Sequence, residues 1–231
     1  MHADALKRGL IDGSLDDDGF DALLPKRWRF ASEVYWSPVE VAVHAARWFE
    51  ASGARRVLDV GSGPGKFCVV AALCTALEMS GIEERRKLYD VALELAELLG
   101  VSARARFHWG RIDDAQLAGF DGYYLYNPFG ENLHAEQNRL DTRVELGPSR
   151  YEADVACVER CLEAASVGAR LAVYHGFVGK VPDSWELVSA DPIGTDRLCI
   201  WQKQRAHSSG GYWIEEEEPS GSRVPMLIKG P

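Results

Sequence analysis

The chain lacks most of the marks of a membrane protein, an oxidising compartment or a polyanion binder. Its five cysteines are an odd number, and none falls in a C-x-x-C pair, so the sequence encodes neither a disulfide framework nor a zinc ribbon. Most of Cys68, Cys74, Cys157, Cys161 and Cys199 sit among apolar residues and read as small core residues in a reducing compartment. No His/Cys/Asp cluster has metal-ligand spacing. Long apolar runs are also missing. The most apolar stretch, residues 67–79, is too short and too polar at its end to span a bilayer, and residues 1–20 are acidic without the apolar run of a signal peptide. A cytoplasmic protein is expected. Positive charge is in deficit, with a net charge of −9, which argues against nucleic acid as a partner. The local exception, "PKRWRF" at residues 25–30, reads as a solvated loop. No internal repeat is found.

What is present is the pattern of an α/β protein. With 231 residues, 46% of them hydrophobic, the chain can close one sizeable core. "RRVLDV", "MSGIE", "RARFHWG", "DGYYLYN" and "ARLAVYHG" read as strands, and "WELVSA" with "RLCIWQK" as a closing pair. Helical periodicity fills the gaps at about residues 38–51, 65–78, 84–99 and 151–165. "SPVE" (Ser37 to Glu40) suggests a capping box, with Ser37 at the N-cap and Pro38 at the first helical position. Strand–helix alternation predicts a doubly wound, mainly parallel seven-stranded sheet with helices on both faces. Residues 1–34 are expected to be a partly helical extension, residues 35–204 the main domain, and residues 205–231, with four consecutive glutamates, an acidic tail.

The sharpest motif is "VLDVGSGPGKF" at residues 57–67, a strand running through Asp59 into Gly61, Gly63 and Gly65 and then a helix. Glycines at a first βα turn let backbone approach a ligand, and the following helix offers free N–H groups. A Walker loop needs a hydroxyl after its lysine, but Phe67 follows Lys66. A dinucleotide loop needs its third glycine one residue later than Gly65. The remaining pattern, acidic-x-Gly-x-Gly-x-Gly, resembles the first motif of the class I S-adenosylmethionine-dependent methyltransferases. That resemblance implies S-adenosyl-L-methionine as cofactor, with Asp59, Gly61, Ser62, Gly63 and Gly65 around it. It also implies a role for Glu83, at the end of "GIE" and 22 residues past Gly61, in accepting the ribose hydroxyls. Asp113 in "GRIDD" takes the place where the family caps the adenine, with Ile112 against the ring.

The fourth strand ends in "NPFG", which is similar to the Asp/Asn-Pro-Pro-Tyr/Phe motif of amino-group methyltransferases but lacks the second proline. There Asn127 would contact both cofactor and acceptor. Its side chain and a backbone carbonyl would accept from an amine, while Tyr126 and Phe129 would wall the pocket and Pro128 would remove a competing donor. "YWSP" resembles the family's aromatic-x-Ser/Thr-Pro element, which places Tyr35 and Ser37 at the cofactor's methionine end. His175, at the end of the fifth strand, fits a pocket-lining base or a histidine satisfied by its neighbours. Roughly residues 35 to 130 also look like the cofactor half of the Dot1-type lysine methyltransferases, without the basic nucleosome-binding segment of that family. The reaction implied is methyl transfer by in-line displacement to an acceptor on a small molecule or protein, an amine nitrogen being the candidate. Two alternatives stand beside it: an NAD(P)-dependent oxidoreductase on a Rossmann fold, and a non-catalytic cofactor- or partner-binding module.

Overall fold

A computed structural model describes residues 3–113, 118–177, 179–205, 212–217 and 223–228. Four short helices come first, α1 (Ala3–Asp12), α2 (Asp17–Asp21), α3 (Lys26–Arg29) and α4 (Ser32–Tyr35), followed by α5 (Val39–Ala51). Strands and helices then alternate: β1 (Arg56–Val60), α6 (Lys66–Cys74), β2 (Glu78–Glu83), α7 (Arg86–Leu98), β3 (Ala105–Trp109) and β4 (Gly122–Tyr126). Two 3-10 turns, Gly130–Leu133 and Glu136–Asn138, lead to α8 (Pro148–Ala164), β5 (Arg170–Tyr174), β6 (Trp185–Ile193) and β7 (Asp196–Lys203).

The seven strands form one sheet in the order β3-β2-β1-β4-β5-β7-β6. β1 pairs in parallel with both β2 and β4, and β4 with β5, while β7 runs antiparallel to β5 and β6. The chain therefore winds outward from β1 in one direction, returns, and winds in the other. The carboxyl ends of β1 and β4 become the crevice where an open α/β sheet takes its ligand.

Period-two alternation explains the two cores. Val57, Tyr124, Ala172 and Tyr174 face one layer with α5, α6 and α7; Leu58, Tyr123, Leu125, Leu171 and Val173 face the other with α8. Tyr124 lies flat on Phe67 of α6, ring centroids 3.7 Å apart. The expected closing pair is β6–β7.

The structure adds to or corrects three expectations. The N-terminal helices sink Leu6, Leu10, Phe20, Leu24 and Trp28 into the same core cluster as α5 and α6. Ser37 does not cap α5. The Val39 N–H donates to Asp17 Oδ1 at 2.9 Å, and Ser37 Oγ instead accepts from the Tyr124 hydroxyl at 2.9 Å. A carboxylate brought in by α2 thus does the work assigned to the local serine. Finally, Glu215, Glu216 and Glu217 of the glutamate run fall in a strand: β8 (Tyr212–Glu217) pairs antiparallel with β9 (Arg223–Ile228), Glu215 opposite Pro225. Among the described residues no helix is long and apolar enough to cross a membrane.

Candidate functional site

β1 delivers the chain into a loop whose alternate residues all need left-handed backbone: Gly61 at φ 75, Gly63 at 55 and Gly65 at 78. The loop is fastened by Ser62 N–H donating to the Ile82 carbonyl and by Gly65 N–H donating to the Ser62 carbonyl, both at 2.9 Å. The three glycines do different jobs. A Cβ on Gly61 would press on Pro128 at 3.3 Å, so that glycine is where the first loop meets the end of β4. One on Gly63 would meet the Trp36 ring at 2.8 Å, and one on Gly65 would meet Phe107 at 2.6 Å and Ala92 at 2.9 Å. Gly65 therefore serves the packing of α6 against α7 and β3. Lys66, next in line, is buried, its Nζ 2.6 Å from Asp17 Oδ1 and 2.8 Å from Asp21 Oδ1.

Two carboxyl groups lie under and beside this loop. Burial pushes Asp59 up to about 7, partly offset by the Cys68 thiol that donates to Oδ2 at 3.5 Å. Burial likewise pushes Glu83 up to about 7, although it accepts from the backbone N–H groups of Arg85 (2.6 Å to Oε1) and Gly63 (3.0 Å to Oε2). Both groups hold protons in the fold that the unfolded chain, near its ordinary 3.8 and 4.5, has released. Their contribution to stability is complete below about pH 4 and is lost as pH rises through about 7. Urea denaturation from about pH 5 to pH 8 should therefore show a fall that Asp59→Asn flattens, leaving the variant the more stable protein at the upper end. Parallel curves for the two would contradict these assignments.

At the end of β4 the backbone turns through Asn127, at φ 36, whose carbonyl accepts from Gly130 N–H at 3.2 Å. The turn sets Pro128 over Gly61, buries Phe129, and leaves the Asn127 amide folded against Gly130. Residues 127–147 then run back across the crevice as a strap. Its anchors are ionic and polar. Arg85 pairs with Glu131 at 2.9 Å and Asp141 at 3.6 Å, and the Tyr35 hydroxyl donates to the Asn138 carbonyl at 2.6 Å beside His134 Nδ1 at 3.2 Å. Behind the strap, Arg150 of α8 joins Glu84 at 2.6 Å and Asp154 at 2.8 Å, and Asp154 also takes Arg111 at 3.0 Å.

The cleft so enclosed is lined by Tyr35, Gly61, Gly63, Glu83, Tyr126, Asn127, Pro128 and Phe129, all candidates from the sequence, together with Ile82, Ile112, Arg85 and Arg150. A small annex holds Asp59, Ser62 and Ser37 beside Tyr35 and Tyr126. Asp113 is exposed, one residue past Ile112, and Asp114 lies outside the described residues. His175 is not among the residues that line the cleft or its annex; it stands behind the lining residue Tyr126, ring centroids 5.3 Å apart, with Nδ1 2.8 Å from Asp196 Oδ2. Sequence reasoning missed the charged residues that hold the strap and α8 in place. One signal was available: Asp154 falls four residues before Val158, on the apolar stripe of α8, and is 4% exposed. An acid on a buried stripe needs a partner.

No family model matches the chain, and no curated protein does. Solved structures do. An RNA methyltransferase from Salinibacter ruber in complex with S-adenosyl-L-homocysteine aligns with a TM-score of 0.51 at 19% identity, over 73% of this chain and 93% of that one. TrmN from Thermus thermophilus aligns with a TM-score of 0.48 at 19% identity, over 72% of this chain and 53% of that one. The seven-stranded sheet with its antiparallel β7 and the likeness to the Salinibacter protein establish the class I methyltransferase fold.

Proposed function

We propose that the chain binds S-adenosylmethionine and transfers its methyl group, by in-line displacement, to an amine nitrogen of a small molecule or protein. One observation carries this reading. A single cleft brings the Gly61–Gly63 backbone and the Glu83 carboxylate together with Tyr126, Asn127, Pro128 and Phe129. A nucleoside-binding half and an acceptor-binding half therefore meet at the switch point of the sheet.

The donor set fits the cofactor. Glu83 is buried and each of its oxygens accepts from one backbone N–H; once ionised, above about pH 7, both oxygens can also accept from a vicinal diol. Ile112 offers an apolar wall to a flat base, and Asp113 beside it an acceptor for an exocyclic amine. Ser37 and Asp59 in the annex suit an ammonium and carboxylate end. Bound there, S-adenosylmethionine would supply a methyl group already activated by sulfonium charge. The protein's task is then alignment and exclusion of water. Asn127 and the neighbouring carbonyl orient the nitrogen, Tyr126 and Phe129 wall it in, and the strap closes over the top. The S-adenosylhomocysteine of the Salinibacter protein supports the same cofactor on the same fold.

Calorimetry should find S-adenosylhomocysteine bound and NAD not bound; stabilisation by NAD alone would replace this reading with the oxidoreductase. Asn127→Ala should cut labelled-methyl transfer about a hundredfold with S-adenosylhomocysteine affinity kept. Because Asn127 holds a left-handed turn, Asn127→Gly serves as the backbone-neutral control. Turnover unchanged in both variants would remove the side chain from the reaction.

A further inference from the structure

Among the described residues, Asn127 and His175 are the two non-glycine positions with positive φ, 36 and 55. They end β4 and β5, which are paired neighbours. Strain of this kind gathers where a site needs a side chain aimed against backbone preference. The imidazole at this turn stands edge-on to Tyr174 at 4.5 Å and to Tyr126 at 5.3 Å, and Tyr126 lines the cleft. Asp196 opens β7, whose antiparallel register sets Cys199 beside Val173, so the start of β7 lies level with the end of β5. Its Oδ2 is 2.8 Å from His175 Nδ1. Burial alone would raise the Asp196 carboxyl, but the hydrogen bonds from His175 and from the Arg197 N–H outweigh it and hold the group below the ordinary carboxylate range. Asp196 is therefore an anionic acceptor to which Nδ1–H donates, which leaves Nε2 as the lone-pair nitrogen of the neutral imidazole.

We propose that His175, oriented by Asp196, takes a proton from the acceptor, and that the acceptor arrives as a protonated alkyl amine. The proposal rests on the methyl-transfer reading above. An ammonium nitrogen has no free pair and cannot attack. Its N–H bond breaks, the electron pair stays on nitrogen, and the proton goes to Nε2, where Asp196 stabilises the imidazolium. The freed pair forms the new bond to the methyl carbon while the carbon–sulfur pair returns to sulfur. The surroundings suit a cation: the Tyr126 and Phe129 rings line the cleft, and the carboxylates of Asp17 and Asp196 both act on Tyr126. The charged and titratable groups about the ring are Asp196 with Arg197 and Cys199 on β7, Tyr174 on β5 and Tyr126 on β4, with Asp191 on β6 and Asp17 on α2 beyond them.

The test uses two amines and a phenol with labelled S-adenosylmethionine at pH 7. Benzylamine is an ammonium there; 2,2,2-trifluoroethylamine is mostly free base. A glycine suits the left-handed backbone at 175, so His175→Gly should fold and keep S-adenosylhomocysteine affinity. Its transfer to benzylamine should fall about a hundredfold or more, its loss with trifluoroethylamine should be at least roughly tenfold smaller, and added imidazole should restore benzylamine turnover. Independently of turnover, nitrogen NMR of the wild-type protein with S-adenosylhomocysteine should show Nε2 of His175 gaining a proton when benzylamine is added, and not with trifluoroethylamine. Equal losses for the two amines, no loss, or methylation of phenol or of none of the three probes would overturn the proposal while leaving methyl transfer standing. A wild-type protein that binds no S-adenosylhomocysteine would remove both.

Discussion

Lys66→Ala should lower unfolding free energy by about 3–5 kcal/mol, read as a fall in the urea midpoint without loss of cooperativity. The side chain is 1% exposed, with Nζ held by Asp17 at 2.6 Å, by Asp21 at 2.8 Å and by Ser32 Oγ at 3.2 Å, and it lies 5.6 Å over the Phe20 ring. Removing the cation leaves Asp21 buried without its counter-charge and loosens Asp17, which also caps α5. The cost comes from the stranded acids rather than from lost attraction. Lys66→Met combined with Asp21→Leu should therefore recover most of the stability, because an apolar pair of similar volume avoids the desolvation altogether. A single-variant loss under about 1 kcal/mol would place Asp21 in water and refute its buried pairing with Lys66.

At pH 8, above the value of about 7 at which buried Glu83 ionises, Glu83→Ala should weaken S-adenosylhomocysteine binding at least about a hundredfold, the loss of two hydrogen bonds to a charged acceptor. The same change leaves the N–H groups of Gly63 and Arg85 without their acceptor, so the glycine loop itself should slacken. Glu83→Gln keeps the shape but turns one acceptor into a donor that faces an N–H. Its deficit should lie between, at about tenfold. Calorimetry on the three proteins orders them; an alanine variant within threefold of wild type would take the carboxylate out of the cofactor site.

The sheet was legible because its strands carry their own signature. Tyr123, Tyr124 and Leu125 alternate between two cores, and Gly61, Gly63 and Gly65 mark a turn that few other residues could make. Most of the cleft followed from those two facts, since the chain must bring the ends of β1 and β4 together. What stayed hidden depends on distance along the chain. Ser37 looked like a cap because it sits in the right place locally; Asp17 wins because α2 folds back across 22 positions. Lys66 read only as half of a phosphate motif, since its partners lie 49 and 45 residues away. Asp196 gives His175 its meaning only after β7 has turned beside β5. Charged residues such as Glu131 and Arg85 carry no periodicity that separates a strap anchor from a solvated surface.

Helix α1 buries Leu6 and Leu10 in a cluster shared with α5 and α6. During synthesis this amphipathic segment leaves the ribosome before the surface that covers it exists. At roughly 5–20 residues per second, its oily side stays bare for several seconds until Cys74 has emerged. Those seconds are the interval in which a nascent chain of this protein most needs a chaperone's shelter.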